Sequence, residues 1–425
     1  MEKWILLGVV AVGFASGLPV AFALGLGCAV YLMMVGNIDF VIVAQRMIFG
    51  IDSFLLLSVP FFILAAEIMN TTGTTRRIFQ FAHALVGHIP GGLAHVNVVN
   101  SMIFAGMSGS AIADAAGVGM MEVEAMERAG YPRPFAAALS AATSTIGPII
   151  PPSIPMVIYG SIAQVSVGAL FLGGAVPGVL MGLAMMALTF AQALRRGFPR
   201  EPRVTLRGLF AALLAGIPPL LAPAILLGGI YTGFFTPTEA AAVAVVYALF
   251  LGTVIYRELG PRDLPPLLLR VVENTAMIMF IVTTASVFGW ILAREQIPQT
   301  IAAAFLEVTR NPVIMMLILN ALFLVLGMFM ETLAVMMIFF PIVVPIVQAV
   351  GIDPVHFGVV VVLNLMIGLL TPPFGMLLFL MSGLTKLPMV VILKELVPYI
   401  IILVACLLLI SLVPQFVMFL PNLGR

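Results

Sequence analysis

The chain has 425 residues, of which 62% are hydrophobic and 9% charged, and 19 lysines and arginines nearly balance 18 aspartates and glutamates. A soluble protein of this size carries about 25% charged residues, so the mean hydropathy of +1.21 makes lipid the solvent. That excludes a soluble enzyme, a disordered scaffold and a nucleic-acid binder, which needs a basic face. Cys28 and Cys406 both lie in apolar runs, which excludes a disulfide framework and a Cys-ligated metal cluster.

The first apolar run, Trp4 to Met34, is too long for a signal-peptide core and ends in no small-residue cleavage site, so no cleavable leader is expected. It reads as one tilted span or as two short ones hinged at Ser16-Gly17-Leu18-Pro19. An amphipathic piece near 39–50 is expected at the interface. Spanning helices follow at 53–69, 137–162, 168–194, 208–230, 238–256, 268–293, 355–381 and 390–420. Two further segments, 92–126 and 312–348, are apolar but interrupted, by Gly106-Met107-Ser108-Gly109-Ser110 and by Gly327-Met328-Phe329-Met330-Glu331-Thr332. Each half is short for a crossing, so both read as re-entrant hairpins with tips inside the protein, because bare backbone cannot face lipid. The expected fold is therefore an all-α polytopic membrane protein with about 11 transmembrane helices and two re-entrant helical hairpins.

An internal repeat organises these elements. At a constant offset of 221 residues, Gly106-Met107 matches Gly327-Met328, Ile146-Gly147 matches Ile367-Gly368, Pro151-Pro152 matches Pro372-Pro373, and Val176-Pro177 matches Val397-Pro398. Identities between apolar residues carry little weight in such a chain; the double prolines and hairpin midpoints falling in register carry most. The division is 1–52 for the N-terminal helix or helices and interfacial arm, 53–195 for the first repeat, 196–265 for connecting scaffold helices and 266–425 for the second repeat.

Charge gives the orientation. The basic loop from Arg195-Arg196 through Arg200, Arg203 and Arg207 belongs in the cytoplasm by the positive-inside rule. Walking outward from it leaves Arg294, Arg310 and Arg425 on the other face, with Lys3 and Arg46 unassigned. On this walk the first hairpin opens from the cytoplasm and the second from the opposite side, so the repeats are inverted.

The chemistry concentrates where the helices break. Residues Ser144 to Pro155 hold four prolines in mid-span. Proline lacks a donor and clashes with the preceding turn, so the backbone must unwind, leaving carbonyls around Thr145 to Pro148 unpaired and starting a half-helix near Pro152. The segment Asn364 to Gly375 repeats the arrangement around Gly368, Thr371, Pro372 and Pro373. Carbonyls and hydroxyls suit a hard monovalent cation, while the half-helix turns its positive end toward an anion. Asp114, deep in apolar sequence, is functional by default, against the plainer role of capping hairpin donors; Glu331 and Thr332 hold the matching place in the second hairpin. Glu67 and Glu295 read as membrane-edge anchors and Glu239 as a structural helix N-terminal charge. A Gly-x-Ser-Gly pattern at Gly106–Gly109, with His83, His88 or His95 as base, is the trace of an intramembrane serine protease; four residues in a chain with 39 glycines carry little, and no enzyme activity or cofactor is expected.

Gly106–Gly119 (GMSGSAIADAAGVG), Met126–Pro155, Gly229–Ala242 (GIYTGFFTPTEAAA) and Gly368–Met376 (GLLTPPFGM) resemble the large membrane subunit of tripartite ATP-independent periplasmic (TRAP) transporters, over essentially the whole chain. The resemblance implies a multi-pass permease of the bacterial inner membrane that takes up an organic acid anion with sodium: a C4-dicarboxylate, a keto acid or a sugar acid such as sialic acid. It implies two partners, a periplasmic substrate-binding protein and a separate small membrane subunit of about four helices, and an elevator motion of hairpins and broken helices against a scaffold that includes 208–256. One sodium is then expected among Ser108, Gly109, Thr145, Gly147 and Pro148, and a second among Gly327, Thr332, Gly368 and Thr371. The anion is expected near Ser110, Asp114, Ser144, Ser153 and Glu331. A divalent-anion/sodium symporter working without a binding protein is the alternative.

Overall fold

A computed structural model describes residues 2–36 and 38–423 of the chain, so Arg425, assigned above to the outer face, lies outside it. The described residues form helices and turns without a strand. Seven helices are long and apolar enough to cross a bilayer: Val167–Arg196, Leu206–Tyr231, Pro237–Ile255, Leu264–Arg294, Pro312–Phe329, Thr332–Ala349 and Met389–Leu412. The run 4–34 is two helices, Glu2–Ala15 and Val20–Val35, folded antiparallel on each other. Small residues permit the approach: a Cβ on Gly13 would meet Ala23, and one on Gly27 would meet Val10. The interfacial piece is Phe40–Ile51, capped by the Asp39 carboxylate on the Val41 N–H, and it packs along Leu264–Arg294. The last expected span ends at Leu412, and Gln415–Leu423 is a separate short helix.

Both hairpins are present. The first has arms Gly92–Ser108 and Ala111–Arg128, the second arm widening into a π-helical stretch at Ala115–Gly119; the second hairpin is Pro312–Phe329 and Thr332–Ala349. Both broken helices are present as well, Arg133–Ser144 with Ile154–Ala163 and Pro354–Gly368 with Met376–Thr385. The half-helices begin later than the prolines suggest. Ser153 is the N-cap of the first, with its Oγ accepting the Met156 N–H, because a side-chain acceptor outweighs proline's fixed φ in setting the start.

The offset of 221 extends beyond the motifs. It also relates two helices that hydropathy does not reveal, Thr74–Val86 and Ile297–Val308, each opened by a left-handed residue, Gly73 (φ 59°) and Gln296 (φ 54°). At 13 and 12 residues they are about 18–20 Å long, too short to cross, and each joins a scaffold helix to a hairpin.

The repeats run in opposite directions. Ile154–Ala163, the far half of one broken helix, lies against Pro354–Gly368, the near half of the other, and Met376–Thr385 lies against Arg133–Ser144. Tyr159 Oη donates to the Pro354 carbonyl at 2.7 Å. Its ring sits edge-on to Phe340 at 5.2 Å, and Phe340 to Phe323 at 5.7 Å; such aromatic pairs contribute about 0.5–1.5 kcal/mol each beyond burial. Val167–Arg196 and Met389–Leu412 pack against this body, while Ser58–Thr71, Leu206–Tyr231, Pro237–Phe250 and Leu264–Arg294 pack mainly among themselves and the N-terminal helices.

Candidate functional site

At the first break the turn's own amides reach the carbonyls of Ala142, Thr143, Ser144 and Ile146. The carbonyls of Thr145, Gly147 and Pro148 receive no backbone donor. Thr145 Oγ1 donates back to Ala142 O at 2.6 Å, which leaves its lone pairs free to face a ligand. The hairpin tip closes over this turn. Gly109, at φ 60°, lies so near that a Cβ there would sit 2.7 Å from Pro152 O, and Gly147 faces the Ser110 carbonyl. Ser108 Oγ is buried without a hydrogen-bond partner.

The second break mirrors the first in backbone but not in side chains. Gly327 and Gly368 touch through their Cα atoms: a Cβ on Gly368 would lie 2.6 Å from Gly327 Cα. The Gly375 N–H donates to Met328 O at 3.4 Å, tying this half-helix to the hairpin tip. Thr371 Oγ1 donates to Ile367 O at 2.8 Å, and Thr332 Oγ1 is buried without a partner. The Gly368 carbonyl already accepts from the Thr371 N–H, so it has one lone pair to offer rather than two. Both Pro–Pro bonds, Pro151–Pro152 and Pro372–Pro373, are cis.

The two tips meet at one cavity of about 400 Å³. Gly109, Ser110 and Pro148 line it from the first repeat and Glu331, Thr332 and Met366 from the second, with the first residues of the half-helix, Ile154 and Pro155. Ile278, on Leu264–Arg294, is the scaffold's contribution and was not foreseen. Ser110 and Glu331, 221 residues apart, do the same job: Ser110 Oγ accepts from the Ala113 N–H, and Glu331 Oε2 accepts from Leu333 and Ala334 N–H. Three helix starts, at Ala111, Ile154 and Thr332, therefore face the cavity, where their free N–H groups and dipoles favour negative charge.

The remaining expected site residues stand elsewhere. Ser144 is buried and donates to Ser140 O at 2.6 Å, and Ser153 is fully buried as a cap. Asp114, expected beside the anion, does not line the cavity; it is 1% exposed, with both carboxylate oxygens unpartnered. Behind the tips lie buried polar groups that the sequence pattern does not disclose. Thr143 Oγ1 donates to Asn97 Oδ1 while Asn97 Nδ2 donates to Ser140 Oγ, both at 2.7 Å, and Asn364 Nδ2 reaches Asn320 O at 2.8 Å. Single asparagines in an apolar arm give no pattern, which is why they went unseen. Outside the site, Glu295 accepts from Tyr31 Oη at 2.6 Å, Glu67 faces Arg270 at 4.0 Å, and Glu239 forms a capping box with Thr236.

With this geometry in hand, likeness to known proteins decides the family. The model of "Tripartite ATP-independent periplasmic transporter, DctM component" matches residues 7–416. The chain belongs to the DctM family of TRAP transporters. It is 46% identical to the sialic acid TRAP transporter large permease protein SiaM of Vibrio cholerae, over 96% of both chains. It is 39% identical to the 2,3-diketo-L-gulonate TRAP transporter large permease protein YiaN of Escherichia coli, over 98% of both. It is also 40% identical to the isethionate TRAP transporter permease protein DctMQ of Oleidesulfovibrio alaskensis, covering 98% of this chain and 66% of that one. Among solved structures, the YdaH transporter of Alcanivorax borkumensis superposes with a TM-score of 0.59 at 14% identity, over 88% of this chain and 87% of that one; at that identity the likeness is one of fold. A DctM component is a permease rather than an enzyme, and this one is a multi-pass protein of the bacterial inner membrane. In keeping with that, Ser108 Oγ has no base beside it: His95 is on the same arm, with its ring toward Phe190 at 6.3 Å.

Proposed function

We propose that this DctM permease takes up an organic acid anion together with sodium, moving the hairpins and broken helices as one body against the helices around them. The carrying observation is that two mirror-related tips and two helix breaks converge on one cavity where buried acceptors go unmet. Sodium suits those acceptors: Ser108 with the carbonyls of Thr145, Gly147 and Pro148 around Gly109 on one side, and Thr332 with Thr371 and the Gly327–Gly368 contact on the other. The anion suits the helix starts. Because Glu331 brings its own negative charge to the second tip, the acid group belongs on the side of Ser110 and Ile154.

Relatives named for sialic acid, 2,3-diketo-L-gulonate and isethionate share an anionic head with hydroxyls, which is the substrate class this cavity fits. The longer DctMQ relative supports a small membrane subunit as partner, here on its own polypeptide, and the family's name supports a periplasmic binding protein that delivers the substrate. In proteoliposomes holding both membrane subunits, uptake of the acid is expected to need an inward sodium gradient and the binding protein. Equal uptake on a proton gradient alone, or without the binding protein, would overturn the corresponding half of this reading.

A further inference from the structure

The second arm of the first hairpin carries two acids that the cavity does not use. Asp114 and Glu122 are each 1% exposed, and the Asp114 charge acts on Glu122. Eight residues of ideal α-helix would set them about 80° apart around the axis. The π-helical stretch between them absorbs one residue, so the separation is that of seven α positions, about 20° from two whole turns. The bulge thus brings both carboxyl groups onto one face.

A third side chain is aimed at them. Asn100 is fully buried, and its Nδ2 donates to Glu122 Oε1 at 2.6 Å, which leaves Asn100 Oδ1 with no partner. The unmet atoms here are Asp114 Oδ1 and Oδ2, Glu122 Oε2 and Asn100 Oδ1. All are acceptors, and a group of acceptors in a dry interior is satisfied only by a cation or by protonation. The second repeat shows that the fold does not need them: 221 residues on, Val335 and Val343 stand in these two places, equally buried.

No fixed cation answers the pair. The helices packed against this arm are Gly92–Ser108, Arg133–Ser144 and Met376–Thr385. The first offers His95, more than a turn from Asn100. The second offers Arg133, which pairs with Glu127 at 3.5 Å, and the third has no titratable group. On the arm itself, Glu124 holds Arg128 at 3.4 Å.

We propose that Asp114, Glu122 and Asn100 form a cation site of their own, apart from the sodium positions at the tips, occupied by one proton shared between the two carboxyl groups. The proton removes one of two negative charges from a body that has to move through the membrane. The site stands whether or not the body moves as an elevator; only its part in uptake rests on that reading.

Infrared spectroscopy of the purified full chain at neutral pH tests the proton directly. A carboxylic-acid C=O band that shifts in deuterium oxide and with isotope-labelled Asp or Glu is expected in the wild type and lost in D114N/E122Q. At a fixed sodium gradient, wild-type uptake should fall as pH is raised on both sides, since deprotonation leaves the second charge in place. The double amide variant, a permanent mimic of the protonated pair, should keep its uptake and lose that pH dependence. Absence of the band, its persistence in the double variant, or a double variant that moves one sodium ion fewer per substrate would each overturn the proposal, the last by making this a sodium site. E122Q alone keeps the Asn100 contact and serves the same purpose should the double variant not fold: an unshifted band refutes the shared proton.

Discussion

A methyl group on Gly368 would come within 2.6 Å of Gly327 Cα and 2.7 Å of its carbonyl carbon, both backbone atoms that cannot swing aside. Gly368→Ala is therefore expected to abolish uptake and to destabilise by about 1–3 kcal/mol, the usual cost of overpacking. Gly383, whose added methyl meets nothing within 4 Å, is the control, and Gly383→Ala should leave thermal stability and uptake unchanged. The two orphan hydroxyls give a sharper test. Removing a hydroxyl that is hydrogen-bonded costs about 1 kcal/mol, but Ser108 Oγ and Thr332 Oγ1 have no partner to lose. Ser108→Ala and Thr332→Ala should keep the melting temperature in sodium-free buffer while raising the sodium concentration for half-maximal uptake. A tenfold rise corresponds to about 1.4 kcal/mol per site. A large loss of stability without a change in sodium dependence would make both hydroxyls structural.

Elements divide into those whose interruption is written in rare residues and those whose existence depends on partners. The hairpins and broken helices were legible because Pro151-Pro152 and Pro372-Pro373 cannot sit in continuous helix and because the same residues recur 221 positions later. The start of each half-helix was not legible. It is set by Ser153 in the first repeat and by contact of Gly375 with Met328 in the second, and only the first leaves a trace in sequence. Thr74–Val86 and Ile297–Val308 escaped because a half-polar helix has no long apolar run. Glu122 escaped because, in Met121-Glu122-Val123-Glu124, a buried acid next to an exposed one looks like a charged flank. The cap makes a measurable statement at this scale. Ser153→Ala removes the acceptor for Met156 N–H and should lower stability by about 0.5–2 kcal/mol, whereas Ser153→Thr should restore most of it in a thermal shift measurement.

For the whole molecule the question is which contacts slide. A Cβ on Gly289, in the scaffold helix Leu264–Arg294, would lie 3.9 Å from Pro341 Cγ in the second hairpin; one on Gly25 would lie 3.7 Å from Thr284 Cγ2, with both partners outside the hairpin body. Both separations are near the Cβ–Cβ distance of a disulfide, about 3.5–4.5 Å. In a background with Cys28 and Cys406 replaced, oxidising G289C/P341C should stop uptake and a reductant should restore it, while oxidised G25C/T284C should transport normally. Continued uptake through the first cross-link would show that this hairpin does not travel past this helix.

The two tips share a backbone plan, yet one is capped by the neutral Ser110 and the other by the acidic Glu331. A machine whose halves are mirror images should be indifferent to which way it faces. Here one door carries a charge that its twin lacks, so the inward and outward poses cannot be equal in energy. The preferred resting pose is therefore set by one side chain at a doorway rather than by the architecture, and neutralising it as Glu331→Gln should redistribute the protein between its two poses without redrawing either.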